Sequence, residues 1–431
     1  MLGIIIGLVL LMVLAYRGMS IIWIAPICAL LVALSGGLEL LPAYTDTYMT
    51  GFVGFTKSWF PVFMLGAIFG KLMEDTGAAK SVAAGITKLI GKKRAILAVV
   101  VGCAVLTYGG VSLFVVVFAM YPLAVAVFRE ANISRKLIPG AIALGSFTFT
   151  MTAVPGTPQI QNLIPTKYYG TTAAAAPIMG IAAALVMAVG GYLYLTWKER
   201  KLTAAGEVFT EPSNYQENGN GNLPNPILSC LPLVSVIVTL NLLEWHIIVA
   251  LFTGIILTII LNFNYFKTSF MERLIKTINA GASGSVIAII NTSAAVGFGS
   301  VVRAVPGFQT LTDMVLGIKG NPLISQALAV NLLAGATGSA SGGMGIALEA
   351  LGEKYVELAN AAGMSLEAFH RVASISSGGL DTLPHNGAVL TLLAITGLTH
   401  KDSYIDIFVV GSLIPIASVV VAIIFASLGL V

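Results

Sequence analysis

Eight apolar runs dominate this chain, at about 2–16, 20–41, 58–74, 172–197, 226–243, 246–263, 280–302 and 404–430. Runs of about 18–25 apolar residues match the thickness of a bilayer core, and a chain with several of them folds in lipid. Composition agrees. Of 431 residues, 57% are hydrophobic and 10% charged, where a soluble domain carries about 25% charged residues. A soluble enzyme and a disordered scaffold are thereby excluded. The net charge of +4 is spread over the whole length and leaves no basic stripe for a nucleic acid.

Two further stretches, 95–166 and 322–398, are apolar but interrupted by Gly, Pro and Ser/Thr clusters. The one strongly polar segment, 198–225, has the composition of a linker and sits near mid-chain. Matches at nearly constant offset tie the halves together. Phe69-Gly70 answers to Phe298-Gly299, Gly109-Gly110 to Gly342-Gly343, Asn132-Ile133-Ser134 to Gly363-Met364-Ser365, and Pro155 to Pro384. Lys and Arg fall mainly on one side if the first run descends to the cytoplasm and 95–128 returns to its own side. Arg129, Arg135, Lys136, Lys198, Arg200 and Lys201 are then inside; Lys57, Lys167, Arg303, Lys354 and Arg371 are outside. That asymmetry requires an odd number of crossings per half, so the second half is inverted. Two full crossings by 95–128 would leave the charge pattern unchanged.

The pattern predicts an all-α polytopic membrane protein of two inverted repeats, with about ten transmembrane helices, two re-entrant hairpins and two broken helices. The first repeat is expected over 1–197, with hairpin 95–128 and broken helix 135–166. A cytoplasmic linker follows over 198–225. The second repeat covers 226–431, with hairpin 322–358 and broken helix 366–398. The N-terminus has no basic region and no cleavage site, and reads as a retained span.

The interruptions carry the candidate chemistry. Irregular backbone survives at membrane depth only where protein or a watery cavity satisfies it. The Gly/Ser clusters at 104–114 and 334–345 therefore point to hairpin tips at a cavity. Around Pro155-Gly156-Thr157-Pro158 and Pro384-His385-Asn386, proline removes a donor and blocks the preceding turn. Each is either a simple kink or an unwound joint whose freed amides hold an anion. The expected substrate-binding residues are Gly109, Gly110, Ser112, Thr152, Gly156, Thr157, Ser341, Gly342, Gly343, Thr382, His385 and Asn386. Asp381 and His385 are the ionisable groups expected near the bilayer centre, and both are candidates for proton coupling. The alternative for Asp381 is a cap on the half-helix that follows. Asn291-Thr292-Ser293 either touches a cation or joins helices. Glu349, Glu353, Lys354 and Glu357 read as a wet outer arm, and Trp59, Trp197 and Trp245 as interface anchors. Cys28, Cys103 and Cys230 lie far apart, and the histidines form no ligand cluster, so no metal or cofactor is expected.

The stretches AVPGTPQIQNLIPTKYYGTTAAAAPIMG (153–180) and SGGLDTLPHNGAVLTLLAITGLTHKDSY (377–404) resemble the GntP family of gluconate/proton symporters, within the larger ion transporter superfamily. The resemblance covers essentially the whole chain. It implies inverted repeats, an elevator-type movement of the hairpin domain, a homodimer and a prokaryotic cell membrane. The gluconate branch carries a His-Pro-rich first loop; Pro155-Gly156-Thr157-Pro158 departs from it. The chain is more similar to the shorter branch associated with hydroxy acids such as 3-hydroxybutyrate. The expectation is therefore a proton-coupled symporter of small carboxylates, the alternative being a sodium-coupled carrier or exchanger. A channel and a membrane-embedded enzyme are the remote readings.

Overall fold

The computed structural model describes residues 2–17, 19–91, 94–212, 223–267, 269–310, 321–384 and 386–431. Among these, all regular structure is helical. Many helix starts follow local chemistry. Asn225-Pro226 and Asn321-Pro322 each turn an Asn side chain onto the first free amides and place Pro at the first helical position. Ser365 and Asn386 cap their helices in the same way, without the proline.

Four helices among the described residues have the length and composition to cross a bilayer: Leu40–Asp75, Pro177–Ala204, Phe270–Ala304 and His400–Ser427. They pack in two pairs, the first against the third and the second against the fourth. Leu2–Tyr16, Ile21–Ser35, Pro226–Asn241 and Ile247–Leu261 are apolar helices of 15 or 16 residues. At 1.5 Å per residue these reach about 22–24 Å, short of the roughly 30 Å hydrocarbon core.

Both halves share a succession of two apolar helices, a long helix, a helical hairpin, two half-helices and a closing helix; in the first half the helix Ala78–Ile90 stands between the long helix and the hairpin. Their packing is reciprocal. The first arm of each hairpin lies on the first half-helix of its own half, and the second arm lies on the second half-helix of the other half. The first hairpin is Ala95–Tyr108 and Leu113–Glu130; the second is Pro322–Thr337 and Ala340–Ala362. The arm Ala95–Tyr108, at 14 residues, spans about 21 Å and cannot cross a bilayer core alone.

Close backbone approach is built from glycine. A Cβ at Gly343 would meet the Ala334 nitrogen at 2.1 Å, within its own hairpin, and one at Gly145 would meet the Val100 oxygen at 2.4 Å. Helix Pro177–Ala204 runs past the expected boundary at 197, and the described start of the linker docks on the loop at 129–136. Arg129 pairs with Glu211 at 2.7 Å and Lys136 with Glu207 at 2.9 Å. The start of the linker and this basic loop therefore lie together.

Two expectations need correction. Trp59 lies inside helix Leu40–Asp75 and is 7% exposed, so it is not an interface anchor. The helix begins well before the apolar run at 58, continuing through a π-helical turn at Ala43–Tyr48 that tolerates Thr45 and Asp46. Arg371 is not a surface charge on the outer side but wholly buried.

Candidate functional site

Both joints are unwound. In the first, Ile138–Ser146 and the single turn Phe149–Thr152 end before Pro155, and the chain resumes as helix at Ile160–Tyr169. In the second, Leu366–Ser377 stops at Gly378, and helix returns at Gly387–Thr396. The opposing helix bends to fit: a π-helical segment, Val409–Leu413, sets the Ser412 hydroxyl 2.8 Å from that of Thr382.

The tips of both hairpins and both joints meet at one cavity of about 540 Å³. Of the expected binding residues, Gly110, Ser112, Ser341 and Asn386 line it, as does the proton-coupling candidate Asp381, with Gln159, Gln161, Asn291 and Thr292. The others stand behind this wall. Gly109 packs on Leu233, and Gly343 on the Ala334 backbone. The Gly342 amide donates to Ser339 Oγ at 3.1 Å. The Gly156 amide donates to the Ala173 carbonyl, and its own carbonyl accepts from Asn241. Thr152 and Thr382 are buried in the joints, and Thr157 is buried with its hydroxyl unpartnered among the described residues. His385 lies outside the described residues.

Asn386 is the hub of the second joint. Its Oδ1 accepts from the amides of Ala388 at 2.7 Å and Val389 at 3.1 Å. Its Nδ2 donates to the Gly338 carbonyl at the hairpin tip, at 2.8 Å, and to Asp381 Oδ1 at 2.9 Å. The cap of this half-helix is therefore Asn386 rather than Asp381. The Asp381 carboxylate instead accepts from the amide of Ala340, the first residue of the second hairpin's long arm. It sits at the positive end of that helix. Gln159 does the corresponding work in the first joint. It stands at the cap position of Ile160–Tyr169, and its Nε2 donates to the Thr107 and Val111 carbonyls of the first hairpin tip, at 2.6 and 3.3 Å.

The two walls of the cavity differ in polarity. On the wall from the second half, the helix starts are satisfied internally by Asp381, Ser339 and Asn386. On the wall from the first half, helices Leu113–Glu130 and Ile160–Tyr169 begin without a side-chain cap bond. Gln161, beside the second of these starts, is 8% exposed, and its Oε1 has no partner among the described residues. Uncapped helix starts attract anions. The opposite wall holds an acid and the hydroxyls of Ser339, Ser341 and Thr292, with Thr292 Oγ1 3.3 Å from Ser341 Oγ. Ser293, by contrast, joins helices: its hydroxyl meets that of Thr56 at 2.7 Å.

Behind the first joint lies a group that sequence reasoning missed. The Arg371 guanidinium donates to Ala175 O at 2.5 and 3.1 Å, to Asn162 Oδ1 at 2.8 Å, and to Thr152 O and Ala173 O at 3.4 Å. These five bonds match its five N–H groups. The neighbouring His370 bonds Thr171 Oγ1 at 2.7 Å and Asn162 Oδ1 at 3.2 Å. Together they clamp the unwound first joint to the helix Leu366–Ser377. Its partners lie some 200 residues away in sequence, and no local signal marks the pairing.

Broken helices whose joints meet hairpin tips at a buried cavity are the architecture of a membrane carrier. The comparisons with known proteins give the family. Residues 1–252 match the model of the GntP family permease. A protein of Bacillus subtilis (strain 168) named "Uncharacterized transporter YxjC" is 43% identical, over 99% of this chain and 99% of its own length. An "Uncharacterized permease" of Haemophilus influenzae is 31% identical over 49% of this chain and 44% of its own length. The chain belongs to the GntP permease family. It is a multi-pass membrane protein and a secondary transporter of a small molecule, not an enzyme.

Proposed function

We propose that the chain carries a small hydroxy-monocarboxylate, of the size of 3-hydroxybutyrate, by symport with a proton across a prokaryotic cell membrane. The observation that carries this reading is the polarised cavity: uncapped helix starts at Leu113 and Ile160 on one wall, a buried acid on the other. The carboxylate of the substrate is held by Ser112 and the free amides beside Gln159–Gln161, and its hydroxyl reaches the Ser341 side. Among the described lining residues none is Lys or Arg, which suits one negative charge rather than several. Asp381 takes the proton, so that carrier and anion move together without net charge in the membrane.

The reciprocal packing of hairpins and half-helices supports two inverted repeats. In this reading the hairpins and broken helices move as one body against the scaffold of long helices in an elevator-type step, and the carrier works as a homodimer. A second reading replaces the proton by sodium. It is favoured by the oxygen-rich surroundings of Asp381, with Ser339, Ser341 and Thr292 on the same cavity.

Uptake into proteoliposomes separates these readings. 3-Hydroxybutyrate, gluconate, lactate and citrate are offered in turn, under an imposed proton or sodium gradient. Concentrative uptake of a hydroxy-monocarboxylate driven by the proton gradient alone is the expected result. Uptake driven only by sodium selects the second reading, and uptake of none of the four removes both.

A further inference from the structure

A second cavity, of about 570 Å³, adjoins the central one and has no part in the function described so far. The two share Val62, and the half-helix Ile160–Tyr169 walls both. Its first turn, Ile160 and Gln161, faces the central cavity, while Leu163, Thr166 and Lys167 face the second. Val62 and Leu163 are 7% and 4% exposed and form an apolar septum. The far side is formed by the turn before Ile247, where Trp245 is 44% exposed, so this chamber reaches the surface. That surface carries Lys167 and lies away from the basic loop and linker, on the side assigned as outer by charge.

The chemistry of the chamber suits an anion with oxygen acceptors. Lys167 lines it; its ammonium lies 5.7 Å from the Tyr168 ring centroid. Trp59 forms part of the inner wall, and its indole N–H is buried without an acceptor among the described residues. A buried N–H lacking a partner carries the full cost of its lost hydration, and interiors seldom tolerate one without a reason. A bound carboxylate supplies the missing acceptor and pairs with Lys167. Lys167 and Glu244, the two charged side chains of the wall, are both exposed.

We propose that this chamber is a second, outer binding site for the carboxylate, from which substrate passes the Val62–Leu163 septum to the central cavity. The proposal rests on the carrier reading above, because the class of ligand is taken from it.

The test uses the full chain with Trp59 as the sole tryptophan, obtained by Trp23→Phe, Trp197→Phe and Trp245→Phe. Trp59 emission is titrated with 3-hydroxybutyrate, gluconate, lactate and citrate, and with methyl lactate, which lacks the charge. The expected result is a saturable change with an acid and none with the ester. Lys167→Gln should raise the half-saturating concentration by about tenfold, the scale of one lost ionic hydrogen bond. Lys167→Arg should restore it. Asn386→Val, in the central cavity, should leave it within about twofold, since Asn386 does not line the outer chamber. Proteoliposome uptake of the same acids is measured alongside. Uptake without any Trp59 response overturns the outer site and leaves the carrier reading standing. A response abolished by Asn386→Val and untouched by Lys167→Gln also overturns it, because Trp59 would then be sensing the central site. Neither uptake nor response removes both.

Discussion

Asp381 is held by two donors that do not depend on its charge. The Asn386 side-chain amide and the Ala340 backbone amide both point at its oxygens, and both bond a carbonyl oxygen as readily as a carboxylate. Asp381→Asn therefore keeps an acceptor at this position and should leave the hairpin tip docked, while removing the only carboxylate among the described residues of the cavity wall. In the proton-symport reading the variant exchanges external for internal substrate at close to the normal rate but does not concentrate it against a gradient. Exchange never requires the empty carrier to return; net uphill transport does. Counterflow and gradient-driven uptake measured on the same vesicles check this. Gradient-driven accumulation by the variant would reduce Asp381 to an acceptor that holds Asn386 in place. A variant silent in both assays but folded would assign the carboxylate to substrate binding.

At the scale of elements, the sequence shows where helices fail better than what fills the gaps. Gly109-Gly110, Pro155 and Pro384 break helices through their own backbone chemistry, and the helices of the structure are interrupted beside each of them. Gly343 belongs to the same local language, but its purpose does not. Its missing side chain lets the two arms of the second hairpin touch at Ala334. Gly343→Ala should force these arms apart and destabilise the protein by about 1–3 kcal/mol, the usual cost of overpacking, read as a lowered thermal midpoint in detergent. Gly190→Ala is the comparison, because its added Cβ finds Ile414 at an ordinary 3.5 Å. The midpoint of this second variant should be nearly unchanged, and equal losses in both would refute the close-approach argument. Arg371, Gln159 and the Asp381–Ala340 contact were not legible in the same way. Each joins residues whose neighbourhood is created only when the two halves pack, and Arg371 in particular looks like any charge at a span end until its four acceptors are assembled around it.

Across the whole molecule, the central cavity is lopsided along the membrane normal. On helix Leu40–Asp75 its wall begins at Val62 and extends to Ala67, toward the Asp75 end; on Phe270–Ala304 it runs from Thr292 back to Gly284, toward the Phe270 end. It also includes Met19, Ser20 and Ile21, beside Arg17. All three directions lead to the face that carries most of the Lys and Arg. On the opposite face the apolar septum of Val62 and Leu163 intervenes before the outer chamber. In the orientation expected from the charge rule, this geometry reads as inward-facing. A cysteine at Gly284, where an added side chain meets open space, should react with a membrane-impermeant thiol reagent from the cytoplasmic face and be protected from the outer face. Thr172→Cys, in the outer chamber, should show the reverse. Cys28 and Cys103 are buried and Cys230 half-buried, so the reporters are placed in a background with Cys230 replaced. Labelling of Gly284→Cys and Thr172→Cys from the same face would overturn the septum, and labelling of each from the face opposite to the expected one would overturn the orientation. Right-side-out and inverted vesicles, labelled in parallel, tell which: a wrong orientation swaps the two preparations for both reporters, whereas a leaking septum makes Gly284→Cys reactive in both.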